Sequence, residues 1–309
     1  MGERATHEAT TATATATKRR FGGQSMTATL RSVLMRRPAR PSAGEEWRDF
    51  GYLHPVDADL AAREHADLRD LLAGAGVEVV EDGPDPDGLL DAIFAFDPSY
   101  VTDHGAIILR PGKALRQAEA ALAARTYERI GVPILGWIKE PGTVEGGDCF
   151  WIDARTLAVG RGYRTNGEGI RQLREILAGI DVGLFAYDLP HWHGPGACLH
   201  FLSLISPVTA DLAVIYRLLM PVRLVETLEE RGWRFVDVPD EEFASMGGNV
   251  LALGPGQCLM LDGNPKTRRR LEAAGCEVQT YRGQEISLNR EGGPTCLTRP
   301  LWREIVARA

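Results

Sequence analysis

No segment of this chain has the unbroken run of about twenty apolar residues that a membrane-spanning helix needs. Paired cysteines are missing too. Cys149, Cys198, Cys258, Cys276 and Cys296 are odd in number, far apart, and contain no CxxC pair. That excludes a disulfide framework and the usual zinc-site spacing, and it suits a reducing cytoplasm. Most of these cysteines are expected to be small buried apolar residues. There is no surplus of basic charge either. The net charge is −7, and the acids are not gathered in a tail. This weighs against nucleic acid as a partner and is compatible with a small cationic substrate. The N-terminus lacks the apolar core of a signal peptide. Residues 1–25 are rich in Thr and Ala and read as a disordered low-complexity tail, set apart from the fold.

The rest of the 309 residues, with 44% of the whole chain hydrophobic, can bury a sizeable core. No linker-like shift in composition divides the chain after residue 26, so 26–309 are expected to form one domain. A homo-oligomer is left open. Within that span a helical stretch repeatedly ends at glycine and a short β-branched run follows. The pattern recurs five times, with the glycines at Gly76, Gly131, Gly179, Gly232 and Gly275. Each glycine suits the left-handed cap of a helix, and each run after it reads as a buried strand. Further strands, in "HGAIILRPG", "TLAVGRG" and "NVLALGPGQCLML", fall between the units. The spacing of roughly 50 residues is that of a repeat architecture, although ordinary α/β proteins alternate in the same way. Such units could close in a ring around a central site.

Several short stretches carry chemistry-bearing residues. In "EGGPTC", Gly292, Gly293 and Pro294 bend the chain sharply before Cys296. A cysteine so presented is a nucleophile, a ligand, half a disulfide, or none of these. In "VEGGDCF", Glu145 and Asp148 flank two glycines that let the backbone approach a neighbour closely, though Gly-Gly-Asp is also a common turn. His200 lies in the apolar run "ACLHFLSLISPV" and reads equally as a core residue. His191 and His193 have a ligand-like spacing but no nearby carboxylate or cysteine, and they read as part of a loop. Asp97 precedes a proline, Arg116 opens a helix, and Arg164 stands just before Asn166 at a helix start, where an arginine can fork onto a carboxylate.

In order along the chain, FxxD with GAIIxRPG, EGGD, RTNxEGxRQL, LHxxS and GGPxC resemble the guanidino-modifying enzymes. That group contains dimethylarginine dimethylaminohydrolase, arginine deiminase and the amidinotransferases. The resemblance covers residues 30 to 303 and implies a pseudo-fivefold α/β propeller, the pentein fold. It makes Cys296 the nucleophile, His200 the general acid and base, and Glu145 the carboxylate that orients the histidine. Asp97 would grip the substrate guanidinium, Arg116 and Arg164 would bind an α-carboxylate, and Asp148 would join this substrate-binding set or brace the turn instead. A protonated histidine and the substrate cation would lower the thiol pKa. The other four cysteines are then background. No metal and no organic cofactor is implied.

The resemblance implies hydrolysis of a guanidino C–N bond of arginine or an N-methylated arginine. Transfer of the amidino group to another amine is the alternative. A binding protein on the same propeller is disfavoured, because it has no need of Cys296, His200 and Glu145 together. One departure bears on substrate. Deiminases and amidinotransferases usually carry aspartate two residues after the histidine, whereas this chain has Leu202. Leucine would leave apolar room beside the guanidinium.

Overall fold

A computed structural model describes residues 21–41, 47–83 and 89–305. The described residues form five three-stranded sheets of one pattern, each an antiparallel pair extended by a parallel strand that a helix connects. In chain order, β1 (Thr29–Arg36) is joined through α1 (Ala58–Gly74) to the parallel β2 (Glu78–Asp82). Next, β3 (Ser99–Thr102) and β4 (Gly105–Ile108) pair antiparallel, and α2 (Glu119–Ile130) leads to β5 (Ile134–Trp137) beside β4. The third unit repeats this with β6 (Cys149–Asp153), β7 (Thr156–Arg161), α3 (Gly167–Ala178) and β8 (Gly183–Asp188). The one-turn helix α4 (Phe201–Leu204) opens the fourth, with β9 (Ile205–Pro207), β10 (Leu212–Ile215), α5 (Val222–Glu230) and β11 (Arg234–Asp237). After α6 (Asp240–Phe243) come β12 (Val250–Gly254), β13 (Gln257–Leu261), α7 (Pro265–Ala273) and β14 (Glu277–Tyr281). Last, α8 (Pro294–Leu297) leads into β15 (Arg299–Glu304), which pairs antiparallel with β1, Leu34 opposite Arg299. The first sheet is thus completed by the far end of the chain, and the five units make the pseudo-fivefold α/β arrangement expected.

Each connecting helix is amphipathic and lays its apolar stripe inward: Leu68 and Leu72 of α1, Leu122 and Tyr127 of α2, Leu173 and Leu177 of α3, Leu224 and Leu228 of α5, Leu271 of α7. Four of the five capping glycines are left-handed, with φ of 81° at Gly76, 73° at Gly131, 78° at Gly232 and 92° at Gly275. Gly179 differs, at φ −66°. Here the helix winds on through Ile180, and Asp181 takes the left-handed position at φ 55°. Asp tolerates that region better than most residues.

Of the expected tail, residues 1–20 lie outside the described residues. Residues 21–25 are packed: Gly22 N–H donates to Leu301 O at 2.7 Å, and the Gln24 side chain donates to Ala154 O at 2.5 Å. Among the described residues, no helix is long and apolar enough to cross a membrane.

Candidate active site

The candidate residues share one topological place. Asp97 stands two residues before β3, Glu145 four before β6, His200 five before β9, Asn249 one before β12 and Cys296 three before β15. Each unit therefore contributes one side chain from the segment leading into its first strand. Asp97, His200 and Cys296 line a cleft of about 500 Å³.

The EGGD turn organises the histidine. His200 Nε2 lies 2.6 Å from Glu145 Oε2, and both residues are buried. The other oxygen, Glu145 Oε1, accepts from the backbone N–H groups of Gly112 at 2.9 Å and Lys113 at 3.3 Å, and from Arg164 at 3.4 Å. Asp148 Oδ1 accepts from the Phe201 N–H at 3.0 Å and its Oδ2 from the Thr165 hydroxyl at 2.6 Å. It holds the chain beside His200 and braces the turn, and both its oxygens are taken up by protein partners. Ser203 completes the LHxxS motif by accepting from the His200 N–H at 3.3 Å. A Cβ on Gly147 would collide with the His200 ring, so the second glycine is a steric requirement.

Arg164, Thr165 and Asn166 all act in this framework. Thr165 Oγ accepts from the Glu145 N–H at 3.1 Å, and Asn166 caps α3 by accepting from the Gly169 N–H at 2.8 Å. Arg164 lines the cleft. Arg116 does not match its expected use. Its guanidinium is buried and forked onto Glu119, at 2.9 and 2.8 Å, and it donates to Asp97 Oδ2 at 2.7 Å. With those partners it is no open clamp for a substrate carboxylate; it fixes Asp97, whose Oδ1 accepts from the Gly147 N–H at 2.9 Å. Burial raises the Glu119 carboxyl to about 7 in spite of the arginine. Arg290 also lines the cleft, and its Nη2 is buried without a hydrogen-bond partner among the described residues.

Cys296 is half-buried on the one-turn α8. Its Sγ accepts from Asn249 Nδ2 at 3.3 Å, while Asn249 Oδ1 accepts from the Thr295 N–H at 3.1 Å. Gly293 must be glycine here, since a Cβ would lie 2.5 Å from the Asn249 side chain. Burial pushes the thiol up to about 11, with Asp97 adding to the rise and His200 only partly offsetting it. Burial thus favours the thiol, and the thiolate expected beside a substrate cation depends on that added charge. Burial would lower the His200 pKa, but Cys198, Asp97 and Glu145 outweigh it and hold the ring protonated. Glu145 is correspondingly held below the usual carboxylate range, the charge and hydrogen bond of His200 overcoming burial.

Cys198 is not background. Its sulfur lies 3.6 Å from His200 Nδ1 and 3.8 Å from Nε2, in line with neither N–H, and it lines the cleft. Leu202 is buried and lines an adjoining internal cavity with Phe96, Thr295 and Arg299, not the cleft. The sequence reading also passed over Asn249, whose signal is the Gly247-Gly248 pair before a strand. Asp97, Glu145 and His200 offer ligand atoms within 4.8 Å of one another. A protonated imidazole has no lone pair for a metal, however, so the trio suits acid–base work better.

Comparison with known proteins identifies relatives of the whole domain. The family model described as arginine deiminase matches residues 87–221 and 219–303. A dimethylarginine dimethylaminohydrolase of Streptomyces coelicolor is 32% identical over 269 residues, covering 87% of this chain and 96% of that protein. Among solved structures, a mutant DDAH from Pseudomonas aeruginosa complexed with citrulline superposes with a TM-score of 0.72 at 23% identity, over 88% of this chain and 99% of that one. The N-terminal domain of ArgZ, a cyanobacterial arginine dihydrolase, does so at 0.76 and 18%, over 88% and 97%. The two structural likenesses establish the fold; the family match and the Streptomyces relative place the chain among the guanidino-modifying enzymes, in the arginine deiminase family.

Proposed function

We propose that this protein hydrolyses a C–N bond of the guanidino group of arginine or an N-methylated arginine, releasing citrulline and ammonia or an amine. The supporting observation is the convergence of Asp97, His200 and Cys296 on one cleft, with Glu145 behind the histidine. No single unit carries the set, so the five act as one catalytic domain.

A guanidinium is delocalised and a poor electrophile. Held against Asp97, it brings a positive charge beside Cys296, and that charge favours the thiolate which burial disfavours. The thiol proton leaves to solvent, and Sγ attacks the guanidino carbon. His200, charged by Glu145, gives its proton to the departing nitrogen as the C–N bond breaks. The thiouronium left on Cys296 is attacked by water. His200 takes the water proton, the C–S bond breaks, and the ureido product forms. Arg164 binds the α-carboxylate. The substrate is small and cationic, as the acidic chain permits, and the five free cysteines suit a reducing cytoplasm.

Mass spectrometry of incubations with arginine and with Nω,Nω-dimethylarginine tests this. Citrulline with ammonia or dimethylamine is expected. Ornithine plus an amidinated acceptor would replace hydrolysis by transfer, and recovery of both compounds unchanged would refute the proposal.

A further inference from the structure

A second cavity, of about 960 Å³ with the open solvent at its mouth included, reaches the same reacting groups from another side. Cys198, His200, Glu291 and Cys296 line both cavities, so they form the partition between them. The two differ in chemistry. The first is walled by charges, among them Asp91, Asp97, Lys113, Arg164 and Arg290. The second has no lysine or arginine among the described residues that line it; Glu291 is its one carboxylate. Its wall is aromatic and built: Trp192 meets Phe243 edge to face at 5.6 Å, and Phe243 stacks on Tyr216 at 3.9 Å. Leu199 and Met246 complete it.

The reaction proposed above requires two sides. The α-carboxylate of the substrate needs an arginine or lysine, and among the described residues only the first of the two cavities is lined by them. The nitrogen that leaves must face His200, which protonates it, and must lie away from the amino-acid end. Across His200 and Cys296 lies the cavity with the aromatic wall, whose remaining lining includes His193, Ser203 and Asn249. Ammonia or dimethylamine would occupy a small part of that space and would leave the aromatic wall without contacts. An apolar group buried there gains about 25 cal/mol for each Å² removed from water.

Resting on that reading, we infer that the second cavity receives the substituent of the departing nitrogen, and that the preferred substrates are Nω-alkyl or Nω-aralkyl arginines bearing groups larger than methyl. The balance is simple: the C–N bond to the substituted nitrogen breaks, its electron pair stays with that nitrogen, His200 supplies the proton, and water supplies the ureido oxygen. The products are citrulline and a primary apolar amine.

The test compares kcat/KM for Nω-benzylarginine and Nω,Nω-dimethylarginine, in the unaltered protein and in Ala244→Trp. Ala244 is exposed and lines only the second of the two cavities, so an indole there fills it without disturbing the core. Expected is a benzyl substrate at least as good as the dimethyl one, and a fall of tenfold or more in the benzyl-to-dimethyl ratio in the variant. A benzyl substrate worse than the dimethyl one, or a ratio unmoved by Ala244→Trp, overturns the inference and leaves the hydrolase reading intact. No citrulline from either compound brings down both.

Discussion

Cys296 is caught between two influences of opposite sign. Burial holds the thiol at about 11, and only the nearby charge of His200 and the backbone N–H of Gly293 work against it. At pH 7 the thiol form then predominates, since each pH unit below the pKa costs a factor of ten in ionised fraction. Alkylation of Cys296 by iodoacetamide without substrate should therefore be slow at neutral pH and rise about tenfold per pH unit toward 11. A rate already level at pH 7, followed by peptide mapping, would mean that the resting residue is a thiolate. Arg164, which lines the cleft and holds Glu145 only by a long contact of 3.4 Å, is the arginine proposed to bind the substrate carboxylate. A charge-assisted hydrogen bond of this kind contributes roughly 1.5–3 kcal/mol, or about ten- to a hundredfold in kcat/KM. Agmatine, which lacks the carboxylate, should be poorer than arginine by that factor, and Arg164→Ala should narrow the gap by harming arginine. Equal use of both compounds by the unaltered protein would remove the clamp. Arg116 shows why its role was not legible in the sequence. One carboxylate partner lies three residues ahead and the other nineteen behind, and only the folded chain brings Asp97 and Glu119 to the same guanidinium. A lone cysteine such as Cys198 likewise carries no local mark of its contact with His200.

The turns that carry the chemistry are short, and their reasons are steric, so they could be read from the sequence. Gly147 makes room for an imidazole and Gly293 for an amide; neither neighbour was visible in the sequence, which showed a need for close approach at Gly147 and only a sharp bend at Gly293. Gly293→Ala tests this. Overpacking of this kind typically costs 1–3 kcal/mol, and here it displaces Asn249 from the Cys296 sulfur. Citrulline formation should fall at least tenfold, while the midpoint of urea unfolding drops only modestly. Activity kept within twofold would show that the Asn249 contact is dispensable. The connecting helices were legible because each is amphipathic; the strand after each of them was legible as a strand, but it is a partly exposed edge strand and not the buried one expected. Gly179 departed from the pattern because a glycine fixes no φ of its own. With Ile180 continuing the turn, the left-handed position passed to Asp181.

Closure of the ring had no local signal. β15 pairs with β1 across more than 260 residues, and nothing in either strand names the other. The resemblance to a known family supplied the fivefold arrangement, and the repeated helix–glycine–strand pattern agreed with it. Because closure sets Cys296 beside residues from the other units, it matters for function as well as stability. Leu301, 3% exposed on β15, should cost about 2–5 kcal/mol when cut to alanine and lower the urea midpoint accordingly; an unchanged midpoint would argue that the seam between the chain ends is not part of the cooperative fold. The arrangement as a whole asserts one thing above the rest: that five lead-in segments converge to make Cys296, not Cys198, the covalent carrier of the amidino group. Acid quenching during turnover of Nω,Nω-dimethylarginine, in the unaltered protein and in His200→Ala, followed by peptide mass spectrometry, tests it directly. The account predicts an added amidino-amino-acid mass on the peptide containing Cys296, and neither adduct nor citrulline in Cys296→Ser. An adduct on Cys198, or turnover by Cys296→Ser near the normal rate, would contradict it.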